Sequence, residues 1–592
     1  MIKKTFVAAA LLAAISPSIF AAGFAPAPAA GQLGAVIVNP YSNSPLTALI
    51  DLGGKKIDSA KVIVHGKGKN GVDIKYDVSR KIILRHDGIP VFGLYADHKN
   101  KVTISYELDG EKTSENYDVI TSAITNNYID NRNVTALQET QVKTVAKGFE
   151  DRLYFINSND TPQMGSDLHW AGPKSASAHI LDPSPSAGSM TFDQPPMNFI
   201  IDTQGEYRWW MNQDAVYDGF DIDVNNRGIM MGFEPDNKGN FTFLLGQKWG
   251  YMDLMGKFTT FRLPRGYIDA SHETTTMPNG NVLIRAAKSH YLNKAGEKVH
   301  TVRDHIIEVD QQGNLVDVWA LPEILNPFRD NLLVGLDMGA VCLNVDADHQ
   351  GQSTEEFKVD APYGDVVGVG AGRNWAHVNS IDYNAEDDSI VLSLRHQGIV
   401  KIGRDKKVDW ILAPDLGWGD LSDKVLTPVD SKGRKLNCDG AACDGTDFDW
   451  TYTQHTAWWS DKGTLTVFDN GDGRGYTQPA MPTMKYSRFV EYKIDEDKGT
   501  VEQTWEYGKE RGYDWYSPIT SNVEYMSDRN TMFGFGGSIH LFEPGARSIG
   551  KINEIDYDTK EVKVEIDVLS AKKNAPHYRA LLVKPNKMFN VK

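Results

Sequence analysis

The chain has 592 residues, 41% of them hydrophobic and 24% charged, which is an ordinary balance for a water-soluble globular protein and too much chain for one core. A formal net charge of −16 excludes nucleic acid and anionic membrane as natural partners, and requires that any anionic substrate be met by local positive charge. Only three cysteines occur, so no dense disulfide framework holds the fold.

Residues 1–22, MIKKTFVAAALLAAISPSIFAA, place Lys3 and Lys4 before a short apolar run and end in small residues. This pattern predicts a secretory signal peptide, cleaved between 21 and 30, where FAPAPAAG offers several small-residue sites. Export to the periplasm is the expectation, with no membrane anchor, because no later segment reaches about 18 apolar residues.

Residues 28–145 carry short alternating runs, KVIVHG, DIKYDV, VTISYEL and NYDVIT, separated by Gly, Asn and Asp. Period-two alternation with a turn every ten or so residues predicts an N-terminal β-sandwich. TALQETQVKTVAKGFEDR (135–152) has helical potential and reads as the link to the next domain.

Residues 150–592 repeat one hairpin: IIDTQGEYRWW, LMGKFTTFRL, VDQQGNLVDVW, IGRDKKVDWIL, IDEDKGTVEQTW and IDYDTKEVKVEI. Each places an aromatic or large apolar residue after an Asp- or Gly-bearing turn, as the outer strands of a propeller blade would. The expected fold class is all-β, a sandwich followed by a six-bladed β-propeller. Spacing lengthens around 323–370 and 411–450, where inserted chain is expected to shape a pocket at one rim.

Within the repeat, DASHETTTMPNGNVLI and DFDWTYTQHTAWWSDKG place His272 and His455 eight residues before the turn glycines Gly280 and Gly463. Asn522 stands at the same distance before Asn530, and His377 in GRNWAHVNSIDYN occupies the same order with a few extra residues. Equivalent positions of a repeat fall on one rim, so the three imidazoles should converge. Asn379, two residues after His377, and Arg395 in SLRHQG, at the end of the following strand, fall in with them.

A metal is not expected: no HxH or HExxH pair occurs, and an arginine in the cluster opposes a cation. The turns NVDADHQGQ and DNGDGRGY lack EF-hand spacing, GVGAGR is not followed by a helix, RHQG departs from the phosphatase RHG, and no GxxxxGK[ST] is present. No cofactor is expected. What remains is an anion pocket in which His455 is a candidate nucleophile, with Trp375, Trp458 and Trp459 available to face an aromatic group.

Together with NCDGAACDG, these segments resemble the bacterial arylsulfate sulfotransferases over nearly the whole chain. The resemblance implies sulfuryl transfer from a phenolic sulfate donor to a phenol acceptor without a nucleotide donor, by a ping-pong route through a sulfohistidine on His455. It implies that His272, His377, Asn379 and Arg395 surround the sulfuryl group, with Thr520 of SPITSN as a further contact. A homodimer is also implied, as is a Cys438–Cys443 disulfide made with the help of a periplasmic thiol oxidase, leaving Cys342 unpaired. The sequence leaves open whether His272 or His377 handles the phenolic proton. Two other readings of the same residues are a propeller that binds aromatic anions without turnover and a histidine-dependent phosphatase.

Overall fold

The computed structural model describes residues 32–592 except 125–128, 131–132, 135–136, 160–195, 214–215, 217–229, 293–295, 297, 300, 330–373, 446–447, 478–480, 542 and 574. The signal-peptide segment, Cys342, GVGAGR, NVDADHQGQ and most of the 323–370 insertion lie outside those residues.

The N-terminal unit is a sandwich. One sheet pairs Val36–Val38, Thr47–Asp51 and Gly88–Phe92, the other Ile74–Ser79, Ser59–Val64, His98–Leu108 and Glu111–Thr121. Alternation buries every second side chain of Ser59–Val64 (Ala60, Val62, Val64) and of Ile74–Ser79 (Ile74, Tyr76, Val78), as a sheet wet on one face requires.

Among the described residues, six mainly antiparallel sheets follow, each of four or five strands. Their innermost strands are His577–Leu582, Met230–Pro235, Tyr267–Thr276, Val378–Asn384, Ala457–Trp459 and Asn522–Met526. Successive sheets touch through these strands or their immediate partners, and Asn157 Nδ2 donates to the Met230 carbonyl between the first and second sheets. The ring closes twice. The C-terminal strand His577–Leu582 supplies the inner edge of the first sheet, while Glu139–Val145 adds a fifth strand to the outer edge of the sixth.

That second closure corrects the sequence reading of 135–152. Glu139–Val145 is a strand paired with Val562–Lys573, not part of a helix, and it belongs with the propeller sheets rather than the sandwich. Its β-branched Thr140, Val142, Thr144 and Val145 suit a pleated edge, and pairing overrides the weak helical preference of the intervening Gln and Lys.

The six repeated hairpins are antiparallel pairs in the outer half of the six sheets, one in each. Turn aspartates organise several of them: Oδ1 of Asp202, Asp253 and Asp310 each accepts the N–H groups two and four residues on. The aromatic that follows packs between sheets. Nε1 of Trp209, Trp319 and Trp505 donates to the carbonyls of Leu254, Gly403 and Tyr557, and that of Trp410 to Glu496 Oε1, each in the turn of the next sheet.

The 411–450 insertion wraps the outside of the fifth sheet, where Thr427–Val429 pairs in parallel with Thr500–Tyr507. A short hairpin then joins Cys438 to Cys443 in a disulfide. Tyr452 donates to the Ala441 carbonyl of that hairpin, and the chain enters the central channel three residues later at His455.

Candidate active site

The three histidines meet in the channel. Ring centroids of His272 and His377 are 5.3 Å apart, and those of His272 and His455 are 6.0 Å apart with the planes within 28°. Each comes from a different sheet, and the backbone is bent to bring it there. A bulge between Ala270 and Thr274 in the third sheet contains His272 at φ 74°, and His377 sits at φ 49° just before its strand. Left-handed backbone at a non-glycine residue costs roughly 1–2 kcal/mol, strain of the kind found where a side chain must be aimed.

Four arginines surround these rings. Arg285 NH2 lies 2.6 Å from His272 Nδ1, and Arg303 NH1 lies 3.2 Å and 3.0 Å from Nδ1 and Nε2 of His377. Arg395 donates to the carbonyls of Thr453 and Pro518 and reaches Asp472 at 3.5 Å. Arg579 donates to Glu273 Oε1 at 3.0 Å and to the Asn379 carbonyl at 2.8 Å.

Burial, followed by these positive charges, holds all three imidazoles well below the usual histidine range. Arg285 and Arg303 act on His272, Arg303 on His377, and Arg579 and Arg395 on His455. All three are therefore neutral at physiological pH. Nδ1 of His455 makes no hydrogen bond of normal geometry, though the Ser521 backbone beside the ring partly offsets the downward shift.

The other predicted residues divide. Asn379 is buried, donates to the Gln454 carbonyl and leaves its own Oδ1 without a partner. Thr520, at φ 60°, is the residue before Ser521, and its Oγ1 donates to the Ile519 carbonyl. Gly537 opposite must lack a side chain, because a Cβ there would lie 2.7 Å from Thr520 Oγ1 and 2.6 Å from the His577 carbonyl.

The tryptophans stand elsewhere. Trp375 is packed in an apolar cluster with Met277, Trp319 and Leu392, its indole donating to Asp304. The indole of Trp458 donates to Glu273 Oε1, with the Arg579 guanidinium 5.2 Å from its ring. Trp459 stands further along the channel, where it lines a cavity of about 290 Å³ with Phe241, Asp382, Glu524 and Met526. Glu273, the partner of Arg579, also lines that cavity. Burial pushes Asp382 and Glu524 up to about 7. Asn522, at the fourth repeat position, spans both sides of the Ala580 peptide N–H and C=O and so ties down the closing strand.

Sequence reasoning missed Arg285, Arg303, Arg579 and Tyr578. Arg285 had a signal: it lies in VLIRAA, the strand after the His272 turn, as Arg395 ends the strand after the His377 turn. Tyr578 and Arg579 had none, because the chain end supplies an inner strand that belongs to the first sheet. Tyr578 stacks edge-on at 5.3 Å from His455 and donates to the His272 carbonyl at 2.9 Å.

Chemically the site is an enclosed, positively charged pocket with neutral imidazoles, suited to a tetrahedral anion and hostile to a metal cation. The model of the family Arylsulfotransferase (ASST) matches residues 138–579, and that of the Arylsulfotransferase Ig-like domain matches residues 35–122. The chain is 58% identical over 593 residues to the arylsulfate sulfotransferase AssT of Escherichia coli O6:H1 (strain CFT073), covering 99% of each chain. It is also 58% identical over 572 residues to the arylsulfate sulfotransferase AssT of Lelliottia amnigena, covering 96% of each.

Proposed function

The chain belongs to the arylsulfotransferase family and is an arylsulfate sulfotransferase, a transferase of sulfur-containing groups, and on that premise we propose a two-step mechanism in which His455 carries the sulfuryl group between a phenolic sulfate donor and a phenol acceptor. The observation that carries this reading is the meeting of three neutral imidazoles among four guanidiniums.

A nucleophilic imidazole must be neutral, and the depressed proton affinity of His455 keeps it so. With the ring proton on Nδ1, Nε2 presents the lone pair. The sulfuryl monoanion is bound by Arg395, Asn379 and His377, with His272 and Thr520 beside it. Charge in a loose transition state spreads over the equatorial oxygens, so these fixed donors act where charge develops, and the burial of the site strengthens them. In the first step the S–O bond of the ester breaks with its electron pair going to the phenolic oxygen, and an S–N bond forms to His455. A phenol acceptor reverses the step. One negative charge on the sulfate ester needs no divalent metal beside four arginines.

In this reading the enzyme is periplasmic and homodimeric, and a thiol oxidase makes the Cys438–Cys443 bond. Support comes from the signal-like segment 1–22, the disulfide pairing and the resemblance.

The test is release of nitrophenol from 4-nitrophenyl sulfate with and without phenol, joined to mass spectrometry of donor-treated protein. Phenol should accelerate release, and without it a sulfuryl adduct should accumulate on the peptide containing His455. Equal rates, or an adduct on another residue, would overturn the mechanism, as would full activity in His455→Asn.

A further inference from the structure

We propose that Arg285 is a positioning residue that fixes the tautomer of His272, so that this ring meets the departing phenolic oxygen as a neutral Nε2–H donor rather than as an acid. The inference rests on the sulfuryl-transfer reading above and assigns the group that receives the leaving atom.

A guanidinium has only donors, and Arg285 NH2 stands 2.6 Å from His272 Nδ1. Nδ1 must therefore accept, which in a neutral imidazole puts the proton on Nε2. Ser271 Oγ, 2.9 Å from the same Nδ1, can rotate its hydrogen to donate as well. Arg285 is held in turn, its Nε donating to the Ser271 carbonyl at 3.0 Å, and it is almost wholly buried. Two contacts to adjacent groups of one turn leave the guanidinium little freedom to release the ring.

His272 is also the imidazole with a donor to spare. Among the described residues its Nε2 has no hydrogen-bond partner, whereas both nitrogens of His377 already lie within reach of Arg303 and its Nδ1 also meets Asn374. His272 is the most exposed of the three residues, at 8% against 1% for His377 and 3% for His455. It faces His455 across 6.0 Å with near-parallel planes.

His455 Nε2 donates its lone pair to sulfur, and the S–O bond breaks with its pair on oxygen. The His455 ring keeps its Nδ1 proton and becomes a sulfoimidazolium of zero net charge, and the phenol leaves as phenolate. His272 keeps its proton throughout, because a neutral imidazole is a far weaker acid than a phenol. Its hydrogen bond shortens as oxygen gains charge and is thus stronger in the transition state than in the ground state. The acceptor phenol must arrive as phenolate or lose its proton to solvent as it binds. An alkoxide is too basic to leave by this route, so the same arrangement selects aryl over alkyl sulfate esters.

Two measurements test this. Nitrogen-15 NMR of His272 in the unmodified protein should show Nδ1 as an unprotonated acceptor and Nε2 carrying hydrogen; the opposite tautomer would overturn the proposal. That result is independent of whether His455 forms an adduct, so failure of the two readings can be told apart. Steady-state rates of Arg285→Gln should fall roughly tenfold or more with phenyl sulfate, the poorer leaving group, and clearly less with 4-nitrophenyl sulfate. Arg285→Lys, which restores a donor, should recover part of that difference. Equal losses with both esters would place the His272 hydrogen bond on an equatorial oxygen and overturn the assignment to the leaving atom. Because the NMR arm uses the natural protein, misfolding of a variant does not remove the test.

Discussion

Replacing Arg579 by Gln should move the acid limb of kcat/KM upward while Arg579→Lys leaves it in place. The Arg579 guanidinium carbon is 5.1 Å from the Tyr578 ring centre, and that ring is 5.3 Å from His455, so charge and imidazole are no more than about 10 Å apart. At an effective dielectric of about 20, a unit charge at that distance is worth ~1.7 kcal/mol. That corresponds to a little over one pKa unit. The sign follows from the chemistry: the positive charge disfavours imidazolium, so its removal raises the His455 pKa, and activity, which needs the neutral ring, is lost at a higher pH on acidification. Glu273, already pushed upward by burial, takes up a proton when its partner leaves, so a negative charge is lost with the positive one and the shift of about one unit is an upper bound. The assay is the pH dependence of kcat/KM for 4-nitrophenyl sulfate with phenol, with circular dichroism at each pH to show that the fold persists. A nucleophile with the ordinary histidine pKa of about 6.5 would lose roughly 30-fold between pH 7 and 5. The parent enzyme should instead hold its rate over that interval. A parent limb near 6.5, an unmoved limb in Arg579→Gln, or an equal shift in Arg579→Lys would refute the electrostatic account.

Asn522→Ala removes two hydrogen bonds to the backbone of Ala580 in a buried position, a cost of about 2–4 kcal/mol. Amide exchange over 577–582 should accelerate by roughly 30-fold or more, and unchanged exchange would show that sheet pairing alone closes the ring. Converting Cys438 and Cys443 to serine removes about 2 kcal/mol of loop-closure stabilisation expected for so short a loop. Faster exchange confined to 437–444 is the expected readout, and protection equal to the parent would mean that packing on Tyr452 suffices.

The sequence carried the parts of this protein that are local or repeated. Alternation at period two marked the sandwich strands because one face of each sheet is buried, and the six hairpins were visible because each needs the same turn chemistry and the same aromatic between sheets. The repeat also marked His272, His377 and His455, since matching places before matching turns bring residues to the same part of the ring. Where a reading rests on one residue type, the pattern alone does not decide it. Trp375, Trp458 and Trp459 share the chemistry of a phenol-binding wall, but a large indole is equally suited to fill a core or satisfy a buried carboxylate, as Trp375 and Trp458 do.

Only tertiary structure decided the electrostatics of the site. Arg285 and Arg303 come from the third sheet and its loop, Arg395 from the fourth and Arg579 from the chain end, and their fields add because ring closure brings these distant segments to one axis. Nothing local distinguishes such an arginine from one in a surface ion pair. The same closure turned 139–145 from a potential helix into an edge strand. A propeller is locally periodic but globally circular: periodicity is written in each repeat, whereas the residues that meet across the circle, and the proton affinities they impose on one another, exist only once the first and last strands have joined.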